Sequence, residues 1–205
     1  MCRSNYRAWC GGVVLFLILI TGFTNFVSAA PGCGQATQPI YGTANVDGNP
    51  AEWNETDDFF APMYRAWKPT NDILSNLYLR YDCSNGVLYV MVQKATGHPI
   101  MAQSGSEVYV KIDGTKEVSS DNVGAAPGTQ PIFRWIGKNG NYADGWEASF
   151  ELSVGDYELI VHNNVWDGKE QTSGTANKKI DLVLSCPGID SVSYTHLRAH
   201  ETHID

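Results

Sequence analysis

LYLRYDCSNGVLYVMV, running from Leu77 to Val92, decides the fold of this chain. In its first half Leu77, Leu79 and Tyr81 fall on one side of an extended backbone while Tyr78, Arg80 and Asp82 fall on the other. That period of two is what a half-buried strand shows. In the second half, Val87 to Val92 is apolar on both sides, as a strand in the middle of a sheet would be. Asn85-Gly86 between them suits a tight turn, because both residues tolerate a positive φ. The stretch reads as a β-hairpin.

The same pattern continues outward. EVYVKID (Glu107 to Asp113), PIFRWIG (Pro131 to Gly137), GWEASFEL (Gly145 to Leu152), DYELIVHNNV (Asp156 to Val165) and KIDLVLSC (Lys179 to Cys186) are short alternating segments set apart by Gly, Asn, Asp and Pro. No stretch keeps a helical period for more than a turn or two. The expected fold is all-β, an antiparallel two-sheet β-sandwich of jelly-roll or Ig-like kind. Nearer the start, Asp47-Gly48-Asn49-Pro50 is expected to turn the chain at the end of a first strand, with Trp53 burying beyond it.

Both ends of the chain carry segments of another kind. Arg3 and Arg7, the apolar run Val13 to Ile20 and the small residues of VSAAPG have the order of a secretory signal, so residues 1–29 are expected to be cleaved and the product exported to the extracellular space or cell surface. The run is too short to span a bilayer, and no membrane insertion is expected after cleavage. At the other end, His196, His200 and His203 stand at spacings of four and three with Glu201 beside them, a ligand spacing that would suit zinc on a helix. Val192 to Thr202, however, matches the frame translation of a transposase-type sequencing-library adapter. Residues 191–205 are therefore set apart as adapter-derived, no metal is assigned to them, and further domains are expected beyond residue 190 of the natural protein.

Residues 30–190 have the size of one domain. They hold 11 Lys plus Arg against 20 Asp plus Glu, a balance that argues against binding a phosphate backbone and so against nucleic acid. With Cys2 and Cys10 lost with the signal, Cys33, Cys83 and Cys186 remain, and export favours one disulfide among three pairings. Cys83 continues the face of Leu77, Leu79 and Tyr81, and Cys186 that of Ile180, Leu182 and Leu184. A Cys83–Cys186 bridge is the preferred pairing, leaving Cys33 unpaired within the chain.

The residues that could carry chemistry are few. Glu147 and Glu151 are four apart in a strand, roughly 13 Å, too far for a glycosidase pair and read as a solvated face opposite Trp146, Ala148, Phe150 and Leu152. GxSxG, HExxH and phosphate-loop motifs are absent, so the chain is expected to be noncatalytic. Asp47, Glu52, Asp57 and Asp58 could offer oxygen ligands to calcium, although their spacing is not that of an EF-hand; otherwise no cofactor is expected. Asn54-Glu55-Thr56 is a glycosylation sequon.

Aromatic residues point to a ligand class, because sugar rings stack on flat, partly exposed aromatic faces. Trp146 has the parity of the core and is expected to be buried. Trp166 shares the parity of Glu158 and His162, faces away from Leu159 and Val161 and precedes the turn Asp167-Gly168, which makes it the first candidate for an exposed platform. Trp135 and Trp67 follow it. His162, expected on a partly exposed strand face, would with Met91 or Met101 supply haem ligands in a redox alternative; His98 is the other internal histidine.

VDGNPAEW, the hairpin LYLRYDCSNGVLYVMV, EVYVKIDG and GWEASFEL occur in an order that resembles the family 9 carbohydrate-binding modules and the related DOMON-like sandwiches. The resemblance implies a noncatalytic module riding on a larger secreted or surface protein and, in some relatives, binding sugar or haem. No sugar-clamping tryptophan is carried over, since none can be placed by motif. The expected function is carbohydrate binding, with a purely structural or adhesive surface domain and a haem-binding domain as alternatives.

Overall fold

The structure, a computed structural model, describes residues 37–187 apart from 96, 104–106 and 127–128. The signal segment, Cys33 and the histidine-bearing tail lie outside the described residues. The fold is all-β: β1 Ile40–Tyr41, β2 Phe59–Arg65, β3 Ile73–Asp82, β4 Val87–Lys94, β5 Ile100–Met101, β6 Tyr109–Ile112, β7 Thr115–Ser119, β8 Ile132–Ile136, β9 Tyr142–Ala143, β10 Gly145–Glu151, β11 Gly155–Trp166, β12 Glu170–Gly174 and β13 Ile180–Leu184. Among the described residues the only helical turns are three-residue 3₁₀ segments.

The strands form one hydrogen-bonded network, ordered β7-β6-β11-β12-β2-β3-β4-β10-β8, in which every pair of named strands is antiparallel except β1 with β3. Beyond β7, Val123 makes a parallel bridge to Phe133 of β8, so the two ends of the path approach one another and the sheet is nearly closed, like a barrel. The link from β12 to β2 rests on Ser173 opposite Arg65 and Gly174 opposite Tyr64. Neither segment alternates cleanly between apolar and polar residues, which is why the sequence pattern does not announce them as strands.

The core follows the alternation. Leu77, Leu79 and Tyr81 of β3, Leu88, Val90 and Val92 of β4, and Trp146, Ala148 and Phe150 of β10 point inward to meet Val110, Leu159, Val161 and Leu182. Each large aliphatic side chain buried this way contributes about 1.5–3 kcal/mol. The outer face of the same strands is partly covered as well, by a small cluster of Trp53, Tyr78, Met91 and Ile136. This second cover explains why Val87 to Val92 is apolar on both faces.

The hairpin between β3 and β4 has Asp82 opposite Val87, so its loop is the four residues Cys83 to Gly86. Only Gly86 takes a positive φ, of 63°, and Asn85 does not, in contrast to the two-residue turn its sequence suggests. Asp82 decides the difference: its carboxylate accepts from the Ser84 amide at 2.8 Å and from the Asn85 side chain at 2.7 Å. Cys83 is joined to Cys186, with Cα atoms 5.8 Å apart and a sequence separation of 103.

The expected first strand before Asp47 is absent, since β1 ends at Tyr41. Residues 43–53 instead cross the outer face of β3, β4, β10 and β8 as an irregular strap. Arg80 holds it at one end, donating to the Thr43 carbonyl at 3.0 Å and the Glu52 carbonyl at 2.7 Å while pairing with buried Asp58 at 2.6 Å.

Candidate functional site

Trp166 ends β11 and is 40% exposed; Tyr142 of β9 is 39% exposed and its ring lies 6.5 Å from that of Trp166, tilted by 54°. The two-residue strand β5 brings them together. Ile100 pairs with Val165 on one side and with Ala143 on the other, and the Trp166 amide donates to the Pro99 carbonyl at 2.9 Å. The result is a rim carrying two adjacent exposed aromatic rings.

Polar groups surround this pair. Asp167, next to Trp166, accepts from Arg65 at 2.7 Å and has His98 at 3.8 Å; the Arg65 hydrogen bond holds its carboxyl below the usual carboxylate range. On the Tyr142 side the hairpin Gly137 to Asn141 is exposed, and the Lys138 ammonium donates to the Ala102 and Gly140 carbonyls. Two ring faces with donors and acceptors beside them are the chemistry that recognises a polyhydroxylated ring: C–H groups stack and hydroxyls hydrogen-bond.

Trp135 and Trp67 do not join this platform. Trp135 is half-buried, packed edge to face on Phe133 at 4.9 Å, with Lys138 5.6 Å from its ring centre. Trp67 takes a left-handed φ of 64° and lays its ring where a side chain at position 174 would stand: a Cβ added to Gly174 would come within 2.2 Å of it. From there it stacks on His162 at 5.1 Å, and His162 stacks in turn on Tyr109 at 4.9 Å.

His162 is therefore buried rather than partly exposed, because Trp67 and Tyr109 cover both faces of its ring. Its Nδ1 is bonded to the Glu107 carbonyl at 2.9 Å, and burial lowers its pKa. Met91 packs in the cluster beneath the strap, and Met101 is buried in β5. This arrangement lends the haem alternative no support.

Glu147 departs furthest from its expected place. It is fully buried, not part of a solvated face, and only Glu151 is exposed. The strap closes over it: the Gly48 amide and the Trp53 indole N–H each donate to its carboxyl at 2.9 Å. Gly48 can reach because its φ of 87° turns the backbone inward, where a Cβ would come within 2.6 Å of the Trp135 carbonyl. Burial raises the Glu147 carboxyl to about 7, outweighing the two hydrogen bonds that favour its charged form.

Beside this latch the strap leaves a cleft of about 620 Å³ between residues 44–47 and the outer face of β4, β10 and β8, lined among others by Tyr89, Gln130, Arg134 and Ser149. The carboxylates considered for calcium each have their own partner. Asp47 caps the Asn49 amide, Glu52 accepts from the Asn45 amide, Asp57 takes the Asn54 side chain and Asp58 pairs with Arg80. Among the described residues no three acidic, His or Cys side chains are placed to hold a metal ion. Comparisons with protein-family models, curated proteins and solved structures returned no match to this chain.

Tyr142 and Glu147 are the residues that sequence pattern alone passes over. Tyr142 becomes visible only through the pairing by β5, whose two residues carry no alternation. The signal for Glu147 is faint: it shares its face of β10 with Ser149 and Glu151, as a solvated face would, and the turn-forming Gly48 that covers it is distant in sequence.

Proposed function

We propose that this chain is a noncatalytic, extracellular or cell-surface carbohydrate-binding module that engages glycan at the Trp166–Tyr142 rim. The observation that carries the reading is the adjacency of the two exposed rings, set 6.5 Å apart among polar groups. A single exposed tryptophan is unremarkable on a protein surface, whereas two neighbouring rings on a strand-supported edge offer a pyranose a surface to stack on. The Cys83–Cys186 bridge supports an oxidising, exported location.

The finer architecture belongs to the same proposal. β3, β4 and β10 face β6, β11 and β13 across one core, which supports reading the nearly closed sheet as a flattened, two-layered sandwich. That is the shape the resemblance to family 9 modules implies. A glycan array probed with the wild-type protein and with Trp166→Ala tests the function. Signal on neutral oligosaccharides that is lost in the variant supports the reading; a blank array for the wild type turns the assignment toward a structural surface domain.

A further inference from the structure

We infer that the cleft beneath the strap is a second ligand site, separate from the rim, and that it takes a short acidic oligosaccharide whose carboxylate sits on Arg134. The argument starts with the guanidinium. Arg134 donates to the Phe133 carbonyl at 2.8 Å and to the Ala125 carbonyl at 2.7 Å, which fixes the side chain in place. It has no carboxylate within ion-pair distance among the described residues. Glu147, its cross-strand neighbour in β10, turns instead to Gly48 and Trp53. Two of the five guanidinium N–H donors are thus used on neutral oxygens and three remain, in a chain with a formal net charge of −8. A fixed cation with unused donors and no counter-ion at a cleft wall is a place for a ligand carboxylate.

The rest of the lining suits hydroxyls. Ser149, nearly fully buried, holds the Gln130 side chain through its Oε1 at 3.0 Å, which leaves the Gln130 amide nitrogen as a positioned donor. Asp47 spends one carboxylate oxygen on the Asn49 amide and keeps the other, and the Asn45 side chain has no partner among the described residues. Tyr89 adds an aromatic wall. Donors and acceptors together with one ring and one cation match a uronic acid better than a simple carboxylic acid, which would use the cation and leave the rest unpaired. At about 620 Å³ the cleft has room for two or three sugar rings. The choice of a sugar rests on the module reading, but the residues are different from those of the rim.

Trigalacturonate and its fully methyl-esterified form have the same skeleton and differ in charge, so titrating both into the intact protein by calorimetry and following the Asn45 and Gln130 side-chain amides by NMR tests the proposal. The acid is expected to bind about tenfold or more tighter than the ester, to shift both amides and to weaken with added salt. Arg134→Lys, which keeps the charge and loses the fork, is expected to bind the acid about tenfold more weakly at unchanged melting temperature, and Gln130→Ala, which also leaves the buried Ser149 hydroxyl without its acceptor, to bind it several-fold more weakly and melt lower. Trp166→Ala is expected to leave this binding intact. Equal affinity for acid and ester, no binding of the acid at millimolar concentration, or wild-type affinity in Arg134→Lys would overturn the assignment. Loss of acid binding in Trp166→Ala would overturn it too, by moving the ligand to the rim, whereas failure of the rim reading is seen separately as neutral glycan binding that Trp166→Ala leaves untouched.

Discussion

Trp53 donates its indole N–H to the carboxyl of Glu147 at 2.9 Å, across 94 residues of sequence. Together with the Gly48 amide on the other oxygen, this bond ties the strap to the middle of β10. The carboxyl it ends on is fully buried and has only acidic groups, Asp47 and Glu52, among the charges that move its pKa.

Stability should therefore fall as pH rises from about 4.5 through about 7. The Glu147 carboxyl titrates near 4.5 when exposed and about 7 when folded, so between those values the folded state holds a proton that the unfolded state has lost. Its contribution is fully present below about 4.5 and lost as pH rises through about 7, amounting to about 3 kcal/mol over the whole span. Chemical denaturation at pH 5 and pH 8 should show this loss in the wild type, while Glu147→Gln, which cannot ionise, should lack that part of the pH dependence. Equal slopes in the two proteins would remove the buried proton from the account.

Gly48 and Gly168 make a matched pair. Both have a positive φ, 87° and 71°, but only at Gly48 would a Cβ meet backbone, the Trp135 carbonyl at 2.6 Å. Gly168→Ala should cost about 1 kcal/mol for the backbone conformation alone. Gly48→Ala should cost about 2 kcal/mol or more and loosen the strap, read as faster hydrogen exchange at residues 44–53.

The strap's other anchor is the Arg80–Asp58 pair, in which the Asp58 side chain has no exposure. Arg80→Ala strands a buried carboxylate and should cost about 3 kcal/mol in urea unfolding. Lys179 and Glu158 form a pair on the open surface, and Lys179→Ala should leave the midpoint where it is.

Reduction should be felt throughout the sheet. The Cys83–Cys186 bridge closes a loop of 103 residues and ties the β3–β4 hairpin to the segment after β13. Cys83→Ser with Cys186→Ser should lower stability by about 2–4 kcal/mol, with no change in the midpoint on adding reductant to the double variant.

Much of the framework was legible in the sequence because strand alternation is local. β6, β8, β10 and β13 fall within the segments where period-two patterning places them, β3, β4 and β11 overlap theirs and run beyond them, and the faces of Leu77, Cys83 and Cys186 selected the disulfide that forms. Trp146 is buried and Trp166 exposed, as their parities require. What escaped depends on contacts between distant segments. β2 and β12 are recognised by their partners rather than by their pattern, since Pro62 and a run of polar residues blur it. The parity that made Glu147 outward-facing was correct, but it could not reveal the strap lying over that face. His162 likewise faces outward from its strand and is covered by Trp67, which reaches it because Gly174 leaves the space free.

The rim is tested most directly through the indole resonance of Trp166 in a ¹H–¹⁵N spectrum, followed while cellohexaose, xylohexaose, mannohexaose and chitohexaose are added in turn to the intact protein. Binding at the rim predicts that at least one of them moves the Trp166 indole signal and the amides around Tyr142 in a saturable way, while the buried Trp53 and Trp146 indoles stay fixed. All four sugars leaving the Trp166 indole unmoved at millimolar concentration, or the same amide shifts persisting in Trp166→Ala, would contradict it.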